Sequence, residues 1–324
     1  MTSNNKATIE ATDISQYLSA LQIGKKLLDV NSPLGIDKLK VVFPAFGPNP
    51  QFSDWSNTKV STHEPFGATT TLEYDAPTDF HAEFRVGFKS SRKRGSMGWV
   101  EFNPSRMSHP DGRLTDVEGA VSCLNYVLDL AQDYVRFDQR PEQIALHRID
   151  LTMDFAPVVE IQRPLYLATK IKPFLRSKPN VYYGPKTGLI ESVTHKTRST
   201  GSVLIYDKSV KEGWGTPTLR VEVQVSRREL KAKGPATLSE VSLEALRRLF
   251  HNRIASFAGL CIGSPPGQAQ QILLDERLTK HLIKAAGLEY LSASGLALPK
   301  SDYFNKEDRK FKKIYPYGSV RDLL

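Results

Sequence analysis

The sequence predicts an α+β protein with a mostly antiparallel central sheet, helices packed on it, and a smaller helical C-terminal region. Runs with strand and helix periodicity mix along the chain without strict alternation, which favours this class over a parallel α/β fold. The chain has 324 residues, 40% of them hydrophobic, enough for a large buried core. We expect three parts: a tail with a short helix over residues 1–34, a core over 35–260, and a basic helical region over 261–324.

The N-terminal half contains one short helix, a series of strands and one long helix. Apolar spacing predicts a helix over residues 14–30 and another from Thr115 to Val135, where Thr115 and Glu118 form a capping box. Strand-like runs bounded by Pro, Gly and polar residues predict four strands between these helices. These strands are Leu39–Phe43, Thr69–Tyr74, Ala82–Phe88 and Trp99–Asn103.

The second half contains the most regular strand signal of the chain. In His147–Phe155 (HRIDLTMDF), apolar residues alternate with polar and charged ones, which predicts a half-buried strand with one polar face. Pro164 opens a helix that extends to about Leu175. Val203–Lys208 and Leu219–Val225 predict two neighbouring strands, and a capping pair and apolar spacing predict helices from Thr237 onward, with a helical pattern continuing from Cys261.

The charge balance indicates a polyanionic partner. Lys and Arg number 44 and Asp and Glu 35, which gives a formal net charge of +9 and a pI near 9.3. No run of 18 apolar residues is present, and the polar N-terminus lacks the layout of a signal peptide. We therefore expect a cytoplasmic protein without a membrane partner. Two cysteines are too few for a disulfide framework or a cysteine zinc site.

Four basic segments are candidates for nucleic-acid contacts: Lys89–Arg94, Lys186–Arg198, Arg227–Lys233 and Lys306–Lys313. The last has tyrosines and phenylalanines nearby, an interleaving that is typical of surfaces for single-stranded or unwound nucleic acid. A single charge run usually forms a solvated face, but four in a basic chain favour DNA or RNA binding. The candidate contacts within these segments are Arg92, Lys93, Arg94, Arg198, Arg227, Arg228 and Lys310.

Two predicted strands place acidic side chains on polar faces: Asp150 and Asp154 in one, and Glu222 in the other. Carboxylates on adjacent strands can share a hard divalent cation, whereas Asp150 and Asp154 are roughly 13 Å apart along one strand. One Asp would therefore join Glu222 as a metal ligand. The simpler interpretation is that all three are solvated acids paired with Arg148 and Arg220 across the sheet.

Tyr206 is a candidate nucleophile, with Lys208 two residues further on and expected on the same strand face. A phenol with a pKa of roughly 10 attacks phosphorus slowly, so it needs a cation or metal nearby. The simpler interpretation is a strand tyrosine with its hydroxyl at the surface. The chain has 12 tyrosines, and spacing alone does not select one of them.

Five stretches resemble, in order and rough spacing, the replication initiators of filamentous phages of the gene II type, and the plasmid rolling-circle initiators show a similar order. These stretches are IDKLKVVFP, RIDLTMDFA, TRSTGSVLIYDKSVKE, TLRVEVQVSRRELKAKG and DRKFKKIYPYG. The resemblance covers nearly the whole chain. The two histidines that the best-known single-strand nickases place around one hydrophobic residue are missing here.

The resemblance implies a rolling-circle initiator that nicks one strand of a double-stranded origin, stays attached to the 5′ phosphate, and later rejoins the displaced strand. By position, Tyr206 matches the nucleophile, Lys208 the lysine after it, and Asp150 and Glu222 the acids that hold Mg²⁺ or Mn²⁺, with Asp154 a weaker metal candidate. Arg148 and Arg220 are added to the DNA contacts, and a host helicase and polymerase are implied partners. Tyr182 and Tyr183 are candidates for a second tyrosine.

Two alternatives remain. A non-catalytic, sequence-specific DNA-binding protein of a phage or plasmid would keep the fold without the chemistry. An RNA-binding protein would use the tyrosine-rich basic tail.

Overall fold

The computed structural model describes residue 23, residues 26–27 and residues 33–262, except 56–58, 63–67, 92–94, 159–160, 171–178 and 198–200. Three of the residues within the predicted N-terminal helix are described, and all three are helical. The predicted basic C-terminal region lies almost entirely outside the described residues. No helix in the described part of the chain is long and apolar enough to cross a membrane.

A single antiparallel sheet dominates the described structure and confirms the predicted α+β class. The strand order is β2-β3-β4-β5-β1-β7-β11-β10-β9-β8, and β6 pairs with β1 outside this path. Its strands are β1 (Gly35–Pro48), β2 (Lys59–Thr62), β3 (Ala68–Pro77), β4 (Glu83–Ser91), β5 (Gly95–Phe102), β6 (Val135–Phe137), β7 (Ala145–Phe155), β8 (Pro179–Tyr183), β9 (Ile190–Thr197), β10 (Gly201–Asp207) and β11 (Leu219–Ser226).

Helices flank this sheet, most of them on its apolar face. They are α1 (Pro104–Ser108), α2 (Val117–Ala131), α3 (Gln162–Lys170), α4 (Lys208–Glu212), α5 (Arg227–Lys233) and α6 (Leu243–Ile262). The core joins apolar residues of α2, α3 and α6 to alternate residues of the central strands, such as Leu151 and Val223, both fully buried. Because side chains alternate along a strand, the residues between these core positions lie on the opposite face.

The helix boundaries correct two predictions. Thr115 does not cap α2: Asp116 is the N-cap, and its Oδ1 accepts from the backbone N–H of Gly119 at 2.8 Å. The helix ends at Ala131 because Val135 belongs to β6. Likewise, α6 begins after Ser242, whose Oγ accepts from the N–H of Ala245.

Four strands were not predicted: the short β2 and β6, and the neighbouring pair β8 and β9. Residues 190–197 have the strand period, but one of the core positions is His195, which is fully buried and bonds through Nε2 to the carbonyl oxygen of Ala168 at 3.0 Å. A segment in which a histidine lies among threonines and lysines predicts a solvated basic loop, so His195 was not expected in the core. Strands β8 and β9 extend the sheet beyond Tyr206 on the side away from β11.

Candidate active site

The polar face of β7, β11 and β10 brings the predicted site residues together. Between β7 and β11, Asp150 pairs with Gln224 and Asp154 pairs with Arg220. Between β11 and β10, Arg220 pairs with Tyr206. Because directly paired residues point to the same face, these side chains share one side of the sheet, and Glu222, two residues from Arg220, joins them.

Arg220 is fully buried on this face, with no exposed side-chain area. Its Nε and Nη2 donate to the two carboxylate oxygens of Asp154, both at 2.6 Å, and its Nη1 donates to Asp37 at 3.2 Å. Nη2 also donates to the carbonyl oxygen of Gly112 at 3.1 Å. These partners hold the guanidinium within the sheet face, and Asp154 is held as an ion-pair partner. The contact of Arg220 with DNA stays a prediction.

Asp150 is paired in a similar way with Arg148 on its own strand. Nε and Nη2 of Arg148 donate to the two carboxylate oxygens at 2.9 and 2.5 Å. Gln224, in the amide orientation that suits both neighbours, accepts from the same guanidinium and donates to Ser202 Oγ at 2.9 Å. Asp150 is 2% exposed, and burial raises its pKa although Arg148 acts in the opposite direction.

Glu222 differs from these two aspartates. Among the residues that the structure describes, no hydrogen bond or ion pair to its carboxylate is found, and the side chain is half-buried. Burial, followed by the charges of Asp150 and Asp37, raises its carboxyl pKa from 4.5 to about 7, and Arg220 and Lys211 offset only part of this. Glu222 is therefore the acid of this face that can exchange a proton near neutral pH.

Tyr206 is 4% exposed but does not belong to the hydrophobic cluster. Burial raises the pKa of its phenol above the ordinary value of 10, while the guanidinium of Arg220 lowers it and the charges of Glu222 and Asp37 raise it further. The ammonium of Lys211 lies 5.1 Å from the ring centroid. The phenol thus lies among charged groups, with one guanidinium able to stabilise the phenolate.

Lys208 is not part of the strand, contrary to the prediction. The side chain of Asp207 caps α4 by accepting from the N–H of Val210 at 3.1 Å, and Lys208 is the first residue of that helix. Its ammonium is 3% exposed and donates to Glu212 at 2.6 Å. Burial lowers the pKa of Lys208, which Glu212 partly reverses. The ion pair with Glu212 anchors α4 beside the site.

The other predicted DNA contacts are spread widely. Arg227 and Arg228 open α5, where Arg228 is exposed, and Arg148 keeps 33% of its side chain exposed. The remaining predicted contacts lie outside the described residues: Arg92, Lys93, Arg94, Arg198 and Lys310.

The metal prediction stays a prediction. Within the described ranges, no three or more His, Cys, Asp or Glu side chains come close enough to hold a metal ion. Carboxylate oxygens are the donors that a hard cation prefers, and this face carries four acids, three of which are paired with its two guanidinium groups. The four acids are Asp37, Asp150, Asp154 and Glu222.

Sequence reasoning missed Asp37 and Lys211. Asp37 lies in β1 where the pairing with β7 shifts between Ile36 and Lys38. Because side chains do not alternate regularly across such a shift, the sequence does not predict which face Asp37 occupies. Lys211 belongs to a five-residue helix that periodicity cannot detect. The sequence does contain one indication for Asp37: it directly precedes the alternating residues of β1, in which Lys38 and Lys40 share one face.

Comparisons with known proteins give little support for any identity. No protein-family model matches the chain, and no curated protein matches it significantly. Among solved structures, a likeness is found to the di-domain ARO/CYC BexL from the BE-7585A biosynthetic pathway, at 10% identity and over 76% of this chain and 96% of that one. Its TM-score of 0.17 is too low to show a shared fold.

Proposed function

We propose that this chain initiates rolling-circle replication by nicking one strand of origin DNA with Tyr206 as the nucleophile. The observation that supports this most is one juxtaposition: a phenol against a guanidinium, on the same sheet face as a carboxylate whose pKa lies near neutrality. A strand tyrosine with a purely structural role needs neither neighbour. The resemblance to gene II-type initiators rests on the same segments.

The chemistry is a transesterification in which the phenolic oxygen attacks phosphorus in line. The O–P bond to Tyr206 forms, the bond to the 3′ oxygen breaks, and the product is a 5′-phosphotyrosine with a free 3′-OH. The phenolic proton passes to Glu222, and the leaving oxygen takes up a proton from water. Arg220 stabilises the phenolate charge. Because the phosphotyrosine keeps the bond energy, the reverse reaction rejoins the strand.

The proposal includes a divalent cation on the same face, for which Asp150 would have to exchange part of its pairing with Arg148. Asp150 and Glu222 would hold Mg²⁺ or Mn²⁺, which would neutralise charge on the scissile phosphate. A carboxylate has two oxygens, so Glu222 can bind a cation with one oxygen and accept a proton with the other. Tyr206 is nearly covered, and in this proposal the exposed Lys211, whose ammonium lies beside the ring, would move to contact the bound phosphate.

The test is nicking of supercoiled DNA from the replicon that encodes the chain, with Mg²⁺ or Mn²⁺ added. The parent protein should produce open circles and a protein–DNA adduct that survives denaturation. Tyr206→Phe should abolish both, while Tyr183→Phe, which changes an exposed tyrosine on β8, should retain both. An adduct that persists in Tyr206→Phe would refute the assignment.

A second candidate is a non-catalytic DNA-binding protein, which is favoured by the burial and raised pKa of Tyr206. It predicts origin binding without metal-dependent nicking at any pH. A mobility-shift assay run beside the nicking assay separates the two, because only the enzyme converts bound supercoiled DNA into open circles. In both cases the implied host helicase and polymerase would act downstream of this chain.

A further inference from the structure

The strands beyond Tyr206 carry a second aromatic group on the same face. Tyr182 in β8 pairs with Ser192 in β9, and Ser192 pairs with Tyr206 in β10. Tyr182, Ser192 and Tyr206 therefore form one row across three strands, continued by Arg220 in β11. Neighbouring strands are ~4.8 Å apart, so the two tyrosines are separated by roughly 10 Å at the backbone.

The environments of these two tyrosines are opposite. Tyr206 is 4% exposed, whereas Tyr182 is 55% exposed on the last strand of the sheet order. Val181, the residue before Tyr182, packs against the core, which places the Tyr182 ring on the polar face. Lys196, on the same face of β9, is also exposed. Lys196 is four residues along β9 from Ser192, the partner of Tyr182, roughly 13 Å at about 3.3 Å per residue. An exposed aromatic ring of this kind is a surface on which a nucleic-acid base can stack.

We propose that Tyr182 stacks a base of the unpaired strand next to the phosphate that Tyr206 attacks, so that β8 and β9 form a platform for single-stranded DNA. The inference deepens the proposed function and rests on it for the position of the phosphate. A separation of roughly 10 Å corresponds to about three nucleotides at the duplex rise of ~3.4 Å, and to fewer when the strand is extended. The platform explains why a large aromatic side chain is left exposed at this edge.

Tyr183 provides a matched control. It is also 55% exposed, but the register shifts between Tyr182 and Tyr183, and Tyr183 pairs with Ile190, which packs against the core. Tyr183 thus lies on the helix side of the sheet. The two residues share type, strand and exposure and differ in the face that they occupy.

The experiment measures binding of a short fluorescein-labelled single-stranded DNA by anisotropy, in a Tyr206→Phe background so that no covalent adduct forms. Adding Tyr182→Ala should weaken binding roughly 5- to 150-fold, the usual loss for one stacked base. Tyr182→Phe keeps the ring and should stay within about twofold of the background protein, as should Tyr183→Ala. A blunt duplex of the same sequence should not distinguish these variants, because its bases are already stacked.

Several results would overturn the inference. The proposed platform would be refuted if Tyr182→Ala left binding unchanged. It would also be refuted if Tyr183→Ala weakened binding as much as Tyr182→Ala does. A loss in Tyr182→Phe as large as in Tyr182→Ala would point to the hydroxyl, and an adduct in Tyr206→Phe that Tyr182→Phe removes would make Tyr182 a nucleophile. Tighter binding of RNA of the same sequence would refute the DNA assignment. Since these assays need no nicking, failure of the platform and failure of the proposed chemistry are separate outcomes.

Discussion

Glu101 and Glu222 are the same kind of side chain on the same face of one sheet, but their surroundings shift their carboxyl pKa values in opposite directions. Glu101 in β5 accepts from Lys38 at 2.6 Å and Lys40 at 3.0 Å, and these bonds lower its pKa to about 2 against the effect of burial. Glu222 in β11 has no such partner among the described residues, and burial with neighbouring acids raises its pKa to about 7.

The difference follows from the number of cations that surround each glutamate. Around Glu101, two lysines serve one acid, and Lys40 also lies 4.1 Å from the ring centroid of Trp99. Around Glu222, the two arginines are engaged with aspartates, so one acid remains without a cation. Burial, together with the neighbouring acids, raises the energy of the ionised Glu222 and so raises its pKa. Under the proposed function, the Glu222 region is the reactive part of the face.

The largest expected effect comes from replacing Arg220, the buried cation beside Glu222. Arg220 is fully buried, so Arg220→Met would leave Asp154 and Asp37 without their shared guanidinium at a site with little access to water. We expect a loss of about 3–5 kcal/mol in the free energy of unfolding, measured by urea denaturation at neutral pH. Arg85→Met, which removes a half-exposed partner of Asp75, is the control and should lose less than about 1 kcal/mol. Equal losses of unfolding free energy in the two variants would show that the ion pairs of Arg220 stabilise the protein no more than an exposed ion pair does.

The second effect is the contribution of the ionised Glu101 to the free energy of unfolding, which is lost at low pH. Its folded pKa lies below its unfolded value of 4.5, so its contribution is present above pH 4.5 and disappears as the pH falls through about 2. After a discount for the partly exposed lysines, Glu101→Gln should lose about 2 kcal/mol at pH 7. The loss should vanish near pH 2. A loss that stays constant between pH 2 and pH 7 would contradict the ion-pair explanation.

The polar face also shows how far the sequence could predict the site. The period of two in His147–Phe155 is confirmed by β7, and it correctly places Arg148, Asp150 and Asp154 on one face. Pairing partners were not predictable, because Arg148 bonds to an acid two residues away while Arg220 bonds across strands. Pairing with an arginine is confirmed for Asp150 and Asp154, but Asp150 is buried rather than solvated and its partner lies on its own strand. Glu222 has no such partner among the described residues.

Other features depended on contacts that periodicity does not contain. The end of β10 is set by the side chain of Asp207, which caps α4, so a run that continues through Lys208 looks like one strand until that cap is seen. Asp37 reaches the site because β1 bends at a register shift. The cap is a local contact between residues three apart, whereas the position of Asp37 depends on which strand lies next to which.

The smallest effect, and the sharpest test of the comparison, is expected from Glu222. Its folded pKa of about 7 lies above the unfolded value of 4.5, so the folded state binds more protons between these values and its stability falls as the pH rises through this window. Glu222→Gln removes the titration without changing the shape of the side chain. After a discount for solvent screening, this variant should gain about 1 kcal/mol over the parent at pH 8 and about none at pH 5.

The sign of this effect separates the two glutamates. Replacing Glu101 by Gln should destabilise the protein at pH 8, whereas the same replacement at Glu222 should stabilise it and, under the proposed mechanism, slow nicking by Tyr206. Thermal melts of both variants at pH 5 and pH 8 give the comparison directly. If Glu222→Gln destabilises at pH 8 as Glu101→Gln does, then Glu222 has a cation partner in solution. The reactive acid would then have to be sought elsewhere on the face.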